Sequence, residues 1–370
     1  MPGLLDDVYP ALSANELAWL ATLPDVESRL VFTERGRDKI SYRLETGPFE
    51  EAELEALPDR DWTLLVQDVE KHLPDFRAYF QQVRFIPDWR IDDLMVSFAA
   101  PGGSVGPHLD NYDVFLCQGE GEREWFLGDP ASAIIDASAE ALSLLQPFTP
   151  IESHLAAIGD VLYLPPGLPH WGVATDFCMT YSVGMRSPTK SELGIGACRV
   201  FETDDIVHEA GNAEQIHYRD GDLAVNEATP GEIHSESIRR IREQDLLDTA
   251  LDDQQLARVF GSVVTDPKAW LMPDPVTGKV ANEVSQSTQD LSVHGMARIA
   301  WYEAAGVRLI FVNGLARHLP ESGLDFVRQV CAERYAAAPS VARLITTIEG
   351  RNLLSWMLEQ GLFDAEFRPE

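Results

Sequence analysis

The sequence predicts a mainly β protein with an α-helical second part. From about Ile91 to Met185, short apolar runs alternate with Gly, Pro, Asn and Asp, the density of turn signals expected of a sandwich or barrel. After about Lys190 the apolar residues change to helical spacing. A length of 370 residues exceeds what one compact core usually holds, so two or three domains are expected.

In chain order, Ser13–Thr22 reads as a short helix, with Ser13 as its cap and Glu16 three residues on, the pairing of a capping box. Arg29–Phe49 is strand-like. The strand candidates of the β region are Asp93–Phe98, Val114–Cys117, Trp125–Leu127, Val161–Leu164 and Met179–Val183. Ser191–Thr203 and Ser235–Phe260 are predicted helices, the second from Ile238, Ile241, Leu246, Leu247, Leu251, Leu256, Val259 and Phe260. Polar Gly211–Gly231 and proline-bearing Asp266–Gln289 read as loops. The segment 290–370 mixes predicted helices (Leu324–Ala337, Ser340–Ile348, Leu353–Gln360) with a strand, Val307–Val312.

Charge narrows the function. Sixty acidic against 29 basic residues give a formal net charge of -31. Wrapping nucleic acid needs a basic footprint, and anionic membranes repel such a chain. A basic partner, or an enzyme with a well-charged surface, fits. Met1–Pro24 lacks the basic start and apolar run of a secretory signal, and no stretch approaches the roughly 18 apolar residues of a membrane helix. Cys117, Cys178, Cys198 and Cys331 show no CxxC spacing, which points to the reducing cytoplasm rather than a disulfide framework.

One constellation carries chemistry. His108-Leu-Asp110 is an HxD, and ligands at i and i+2 share one face of a strand. Alone it means little, since His234-Ser-Glu236 has the same spacing but opens a predicted helix, where i and i+2 diverge. Context separates them. His108 follows the turn-rich Pro101–Pro107, and Gly159–His170 downstream gives a turn, an apolar strand, a stiff turn and then a histidine. His170, 62 residues after His108, supplies a third ligand. Two histidines and one carboxylate form the facial triad of non-haem Fe(II) oxygenases.

Gly159–His170 is similar to the second cupin motif. Together with Asp92–Phe98, Pro101–Phe115 and Tyr181–Gly184, it resembles the bacterial JmjC/cupin ribosomal oxygenases, a family that includes an arginine hydroxylase of a large-subunit ribosomal protein. The motif-bearing match covers about 25–190, and the remainder is similar in layout. The resemblance implies a double-stranded β-helix (1–195), a helical dimerisation region (196–265) and a winged-helix-like C-terminal domain (266–370). It also implies an extra segment before the first helix, so the chain is expected to begin within it, with a less covered first sheet edge.

The resemblance further implies Fe(II) held by His108, Asp110 and His170, with 2-oxoglutarate and O2 as co-substrates. A dicarboxylate in a closed barrel needs a cation, and arginine's fork suits it. Residues 91–185 hold a single Lys or Arg, Arg123, which follows Gly119-Glu-Gly121 and starts a strand expected to run antiparallel to the one leaving Asp110. Ser97 and Thr180 are candidate hydrogen-bond partners, although the family tends to carry asparagine in place of Thr180. For an arginine substrate the matching positions are Asp93, Met95 and Tyr112: a carboxylate, an apolar wall and an aromatic face.

The expected activity is therefore hydroxylation of an arginine β-carbon in a basic ribosomal protein by a cytoplasmic homodimer. The segment 290–370 holds eight arginines, ten acids and no basic cluster, so DNA binding is not expected of it. The 13 acids and single base of 91–185 place much of the charge around the expected site, where it would attract a basic partner. Rival readings are a ribosomal protein histidine hydroxylase, a cupin dioxygenase that does not use 2-oxoglutarate, and a non-catalytic protein that keeps the metal for structure.

Overall fold

The computed structural model describes residues 1–5, 10–37, 39–134, 144–202, 216–221, 229–247 and 250–364. They form two compact units, one of Met1–Gln82 with Ile91–Arg186, the other of Val83–Arg90 with Ser187–Glu370.

The first unit opens with helix α1 (Ala14–Ala21), capped by Ser13 and Glu16 in a complete capping box, with Leu17 and Leu20 buried. Strands β1 (Ser28–Arg35) and β2 (Ile40–Thr46), helix α2 (Glu51–Glu55), strand β3 (Trp62–Val66) and short helices α3 (Val69–His72) and α4 (Ala78–Gln81) follow. The barrel strands are β4 (Ile91–Ala99), β5 (Val114–Glu120), β6 (Arg123–Gly128), β7 (Pro150–Ala156), β8 (Val161–Leu164), β9 (His170–Ala174) and β10 (Cys178–Met185). They make a seven-stranded sheet, β2-β1-β3-β4-β10-β5-β8, and a three-stranded sheet, β7-β6-β9, in which all pairings are antiparallel.

Two faces of the large sheet are distinguished by what covers them. Tyr181 of β10 stacks on Tyr79 of α4 with centroids 4.7 Å apart, and the Leu12 N–H donates to its hydroxyl at 2.7 Å. The N-terminal helices therefore cover that face. The opposite face carries Asp93, Met95 and Ser97 of β4, because side chains alternate. Across the ladder, Ser97 meets Thr180, which meets Gln118; Met95 leads to Ser182 and Leu116; Asp93 leads to Gly184 and Val114. Val114 and Leu116 share a core with Trp125, Ala156 and Leu164, so this face lines the barrel interior.

Arg123 opens a strand, as the sequence predicts. β6 pairs with β7 and β9 in the small sheet, not with β5. The turn at Gly121 (φ 59) passes the chain from one sheet to the other.

The second unit contains α5 (Lys190–Phe201), α6 (Ser235–Glu243), α7 (Asp253–Thr265), α8 (Gly278–Val284), β11 (Leu291–Ser292), β12 (Ile299–Ala304), β13 (Val307–Val312), β14 (Leu315–His318), α9 (Leu324–Glu333), β15 (Tyr335–Ala336), α10 (Ala338–Leu344) and α11 (Ile348–Glu359). β12, β13 and β14 form an antiparallel meander. One core joins α5, α6 and α7 to the Phe311 side of this meander, and another packs α8 to α11 against its Ile310 side.

The helical spacing over Ser235–Phe260 belongs to two helices. α6 ends where Asp245 turns to φ 52, and Asp252 caps α7 with Gln255. The expected loop Asp266–Gln289 contains α8, held by buried Ala281 and Val284. Of the expected loop Gly211–Gly231, residues 211–215 and 222–228 lie outside the described residues.

Candidate active site

The site begins with a two-residue bridge. The His108 N–H donates to the His170 carbonyl at 2.9 Å and the His170 N–H returns to the His108 carbonyl at 2.8 Å. This antiparallel pair sets the two side chains directly opposite each other. The HxD thus sits in an isolated bridge leading into a turn, a correction to the strand expected from its spacing. His170 opens β9, after the stiff turn that precedes it.

Each imidazole is oriented in the same way. Nδ1 of His108 lies 2.9 Å from the Gly106 carbonyl, and Nδ1 of His170 lies 2.9 Å from the Leu168 carbonyl. A carbonyl only accepts, so each Nδ1 carries a proton, and Nε2 is the ring nitrogen turned towards Asp110. The Nε2 atoms of His108 and His170 stand 4.0 and 3.6 Å from Oδ2 of Asp110. One ligand atom from each residue lies within 4.8 Å of the others, the one such cluster found among the described residues. His234 instead precedes α6 and faces Glu232.

Electrostatics favour a cation here. Burial, then the neighbouring His108, pushes the His170 imidazole down to about 4 against the opposing pull of Asp110. His170 is therefore a neutral ligand near neutral pH, beside a carboxylate. Two imidazole nitrogens and one carboxylate oxygen suit a divalent transition metal.

The fit to a dicarboxylate rests on Arg123, which is 4% exposed. Its Nε and Nη2 are buried with no hydrogen-bond partner among the described residues. It shares the inward face of β6 with Trp125, whose ring lies 5.7 Å from the guanidinium carbon and 6.1 Å from the His170 ring. Leu127 lies opposite His170, four residues along the strand from Arg123, roughly 13 Å away. A buried guanidinium with two nitrogens unpartnered among the described residues is costly, and its fork suits a carboxylate.

Ser97 and Thr180 are both buried on the interior face. The Thr180 hydroxyl donates to Oε1 of Gln118 at 3.1 Å, while the Gln118 amide donates to the Glu120 and Met179 carbonyls. Gln118 was missed by sequence reasoning, although a polar residue closing the apolar run Val114–Cys117 was a usable signal. Asp93 is buried at 5% exposure, while Met95 is half-buried. Tyr112 lies in the turn after Asp110 and is 42% exposed. Burial of its phenol, then the charges of Asp110, Asp93 and Asp92, raises its pKa well above the ordinary tyrosine range.

Comparison with known proteins agrees with this geometry. Residues 78–193 match the family model of the JmjC domain. The chain is 37% identical over 257 residues to the ribosomal protein uL16 3-hydroxylase of Escherichia coli K12, covering 70% of this chain and 65% of that protein, just under two thirds of its length. A crystal structure of E. coli YcfD superposes with a TM-score of 0.70 at 29% identity, over 95% of this chain and 90% of that one. The ribosomal oxygenase YcfD in complex with cobalt and 2-oxoglutarate gives a TM-score of 0.66, with the same identity and coverage.

Proposed function

From the premise that residues 78–193 are a JmjC domain and that the chain is a relative of the bacterial ribosomal oxygenases, we propose that it is an Fe(II)- and 2-oxoglutarate-dependent protein hydroxylase. Its substrate is an arginine of a basic large-subunit ribosomal protein, by analogy with the uL16 3-hydroxylase. The observation that carries this reading is the convergence of His108, Asp110 and His170 in the barrel that also buries Arg123, whose Nε and Nη2 have no hydrogen-bond partner among the described residues.

In this reading His108, Asp110 and His170 hold the iron, and the metal with 2-oxoglutarate and O2 supplies the oxidising power that hydroxylates a C–H bond. The protein's contribution is placement. The Gly106 and Leu168 carbonyls keep both Nε2 atoms aimed at one point. Arg123 takes the distal carboxylate of 2-oxoglutarate, with Ser97 and Thr180 as hydrogen-bonding neighbours. Val114, Leu116, Trp125 and Leu164 keep the interior apolar and exclude water. Asp93 receives the substrate guanidinium, with Met95 and Tyr112 beside it.

The remaining parts are assigned on the resemblance: 1–195 as the oxygenase domain, 196–265 as a dimerisation region, 266–370 as a winged-helix-like domain, and a cytoplasmic homodimer without nucleic acid. Among the described residues no helix is long and apolar enough to cross a membrane. The test of the reaction class is succinate release from 2-oxoglutarate with Fe(II), air and uL16 fragments. Peptide-dependent succinate that vanishes in His108→Ala supports the proposal; succinate that persists in that variant, or none with any peptide, refutes it.

A further inference from the structure

The residues around Asp93 hold a second arrangement, which the proposed reaction does not itself use. The β3–β4 pairing ends at Val66 opposite Val96, so β4 from Asp92 to Leu94 has no strand on that side. Buried backbone groups need partners, and side chains of α3 provide them. The Leu94 N–H donates to the Glu70 carboxylate at 2.9 Å, and the Lys71 ammonium donates to the Asp92 carbonyl at 3.3 Å. The two peptide groups flanking Asp93 are thereby tied down by adjacent buried residues.

The Asp93 side chain is held from the same segment. Nε2 of Gln67 donates to its Oδ2 at 2.5 Å, and Oε1 of Gln67 accepts from Nη2 of Arg29 at 2.8 Å. The amide has one orientation, because a guanidinium only donates and a carboxylate only accepts. Gln67 therefore bridges the Arg29 guanidinium and the Asp93 carboxylate. Nε of Arg29 is buried with no hydrogen-bond partner among the described residues. On the neighbouring strand a methyl on Gly184 would come within 2.9 Å of Asp93 Oδ1, so β10 is bare where the carboxylate lies.

We infer that Gln67 is a specificity-positioning residue that fixes Asp93 for an incoming cationic side chain and holds Arg29 off that carboxylate. The inference rests on the reading of Asp93 as the acceptor of the substrate arginine. Without the Gln67 amide, the Arg29 guanidinium closes on Asp93 and occupies the place of the substrate's own guanidinium. Removing Arg29 as well reopens it.

The test uses the full chain with Fe(II), 2-oxoglutarate and single-arginine peptides of uL16. Gln67→Ala is expected to raise the peptide KM about tenfold, the scale of one hydrogen bond to a charged group, with kcat within about twofold. The double variant Gln67→Ala with Arg29→Ala is expected to return KM to within about threefold of the unmodified protein, which a merely structural role for Gln67 would not do. An unchanged KM in Gln67→Ala, or no rescue in the double variant, overturns the inference and leaves the hydroxylase reading intact. Should the unmodified protein hydroxylate no arginine peptide, the hydroxylase reading falls, and the crystal structure of Gln67→Ala decides the inference alone. Arg29 paired with Asp93 supports it; Arg29 unmoved overturns it. Gln67→Ser carries the same comparison if the alanine variant does not fold.

Discussion

Replacing Arg123 by Met separates ligand binding from folding, because the two should respond with opposite signs. Arg123 is 4% exposed, and its Nε and Nη2 have no partner among the described residues. In the ligand-free protein its charge is a burden of several kcal/mol, relieved by an apolar side chain of similar length. On the proposed assignment, bound 2-oxoglutarate gives the same nitrogens two charge-assisted hydrogen bonds, worth about 1.5–3 kcal/mol each. Their loss amounts to about 3–6 kcal/mol, or roughly two to four powers of ten in affinity. The assay is titration calorimetry of 2-oxoglutarate with Co(II) present, paired with the melting temperature of the ligand-free protein. Weaker binding with an equal or higher Tm is expected. Binding within about threefold of the unmodified protein, less than 1 kcal/mol, would refute the assignment of Arg123.

Three further outcomes follow from the same geometry. Asp110→Ala removes the one carboxylate of the cluster, so Co(II) affinity read from its visible absorption should fall by about a hundredfold or more; an unchanged spectrum and affinity would exclude Asp110 as a ligand. The His170 imidazole is held at about 4, below its ordinary 6.5. Its stability contribution is thus full above pH 6.5 and is lost as pH falls towards 4, because the unfolded chain takes the proton first. The Tm of metal-free protein should fall through that window, and fall less in His170→Gln; equal falls in both would contradict the cause. With 13 acids and one base in 91–185, the KM for a basic peptide should rise with ionic strength while kcat holds, and a salt-independent KM would remove the steering role.

Much of the site was legible before the structure because its signals are local. The β8 and β13 bounds follow from short apolar runs between turn residues, and Ser13 with Glu16 announces α1. Arg123 stood out by subtraction, as the one cation in a long acidic stretch. What stayed hidden depends on long-range pairing. β7 runs along a sheet edge and is almost wholly exposed, so it carries no apolar pattern. The HxD looks like a strand because its spacing suits one, yet its geometry comes from a bridge to a residue 62 positions away. Ser235–Phe260 keeps helical spacing across a break that only the Asp245 backbone and the Asp252 cap reveal. Gln67 and Gln118 are single amides whose roles appear only once Asp93 and Thr180 are beside them.

The central claim is hydroxylation of a ribosomal protein arginine at this barrel. Tandem mass spectrometry of uL16 after incubation with the protein, Fe(II), 2-oxoglutarate and air tests it most directly. The account predicts the gain of one oxygen on the side chain of a single arginine, absent from the His170→Ala reaction. An oxygen gained on histidine, gained equally in that variant, or gained on no residue would contradict it.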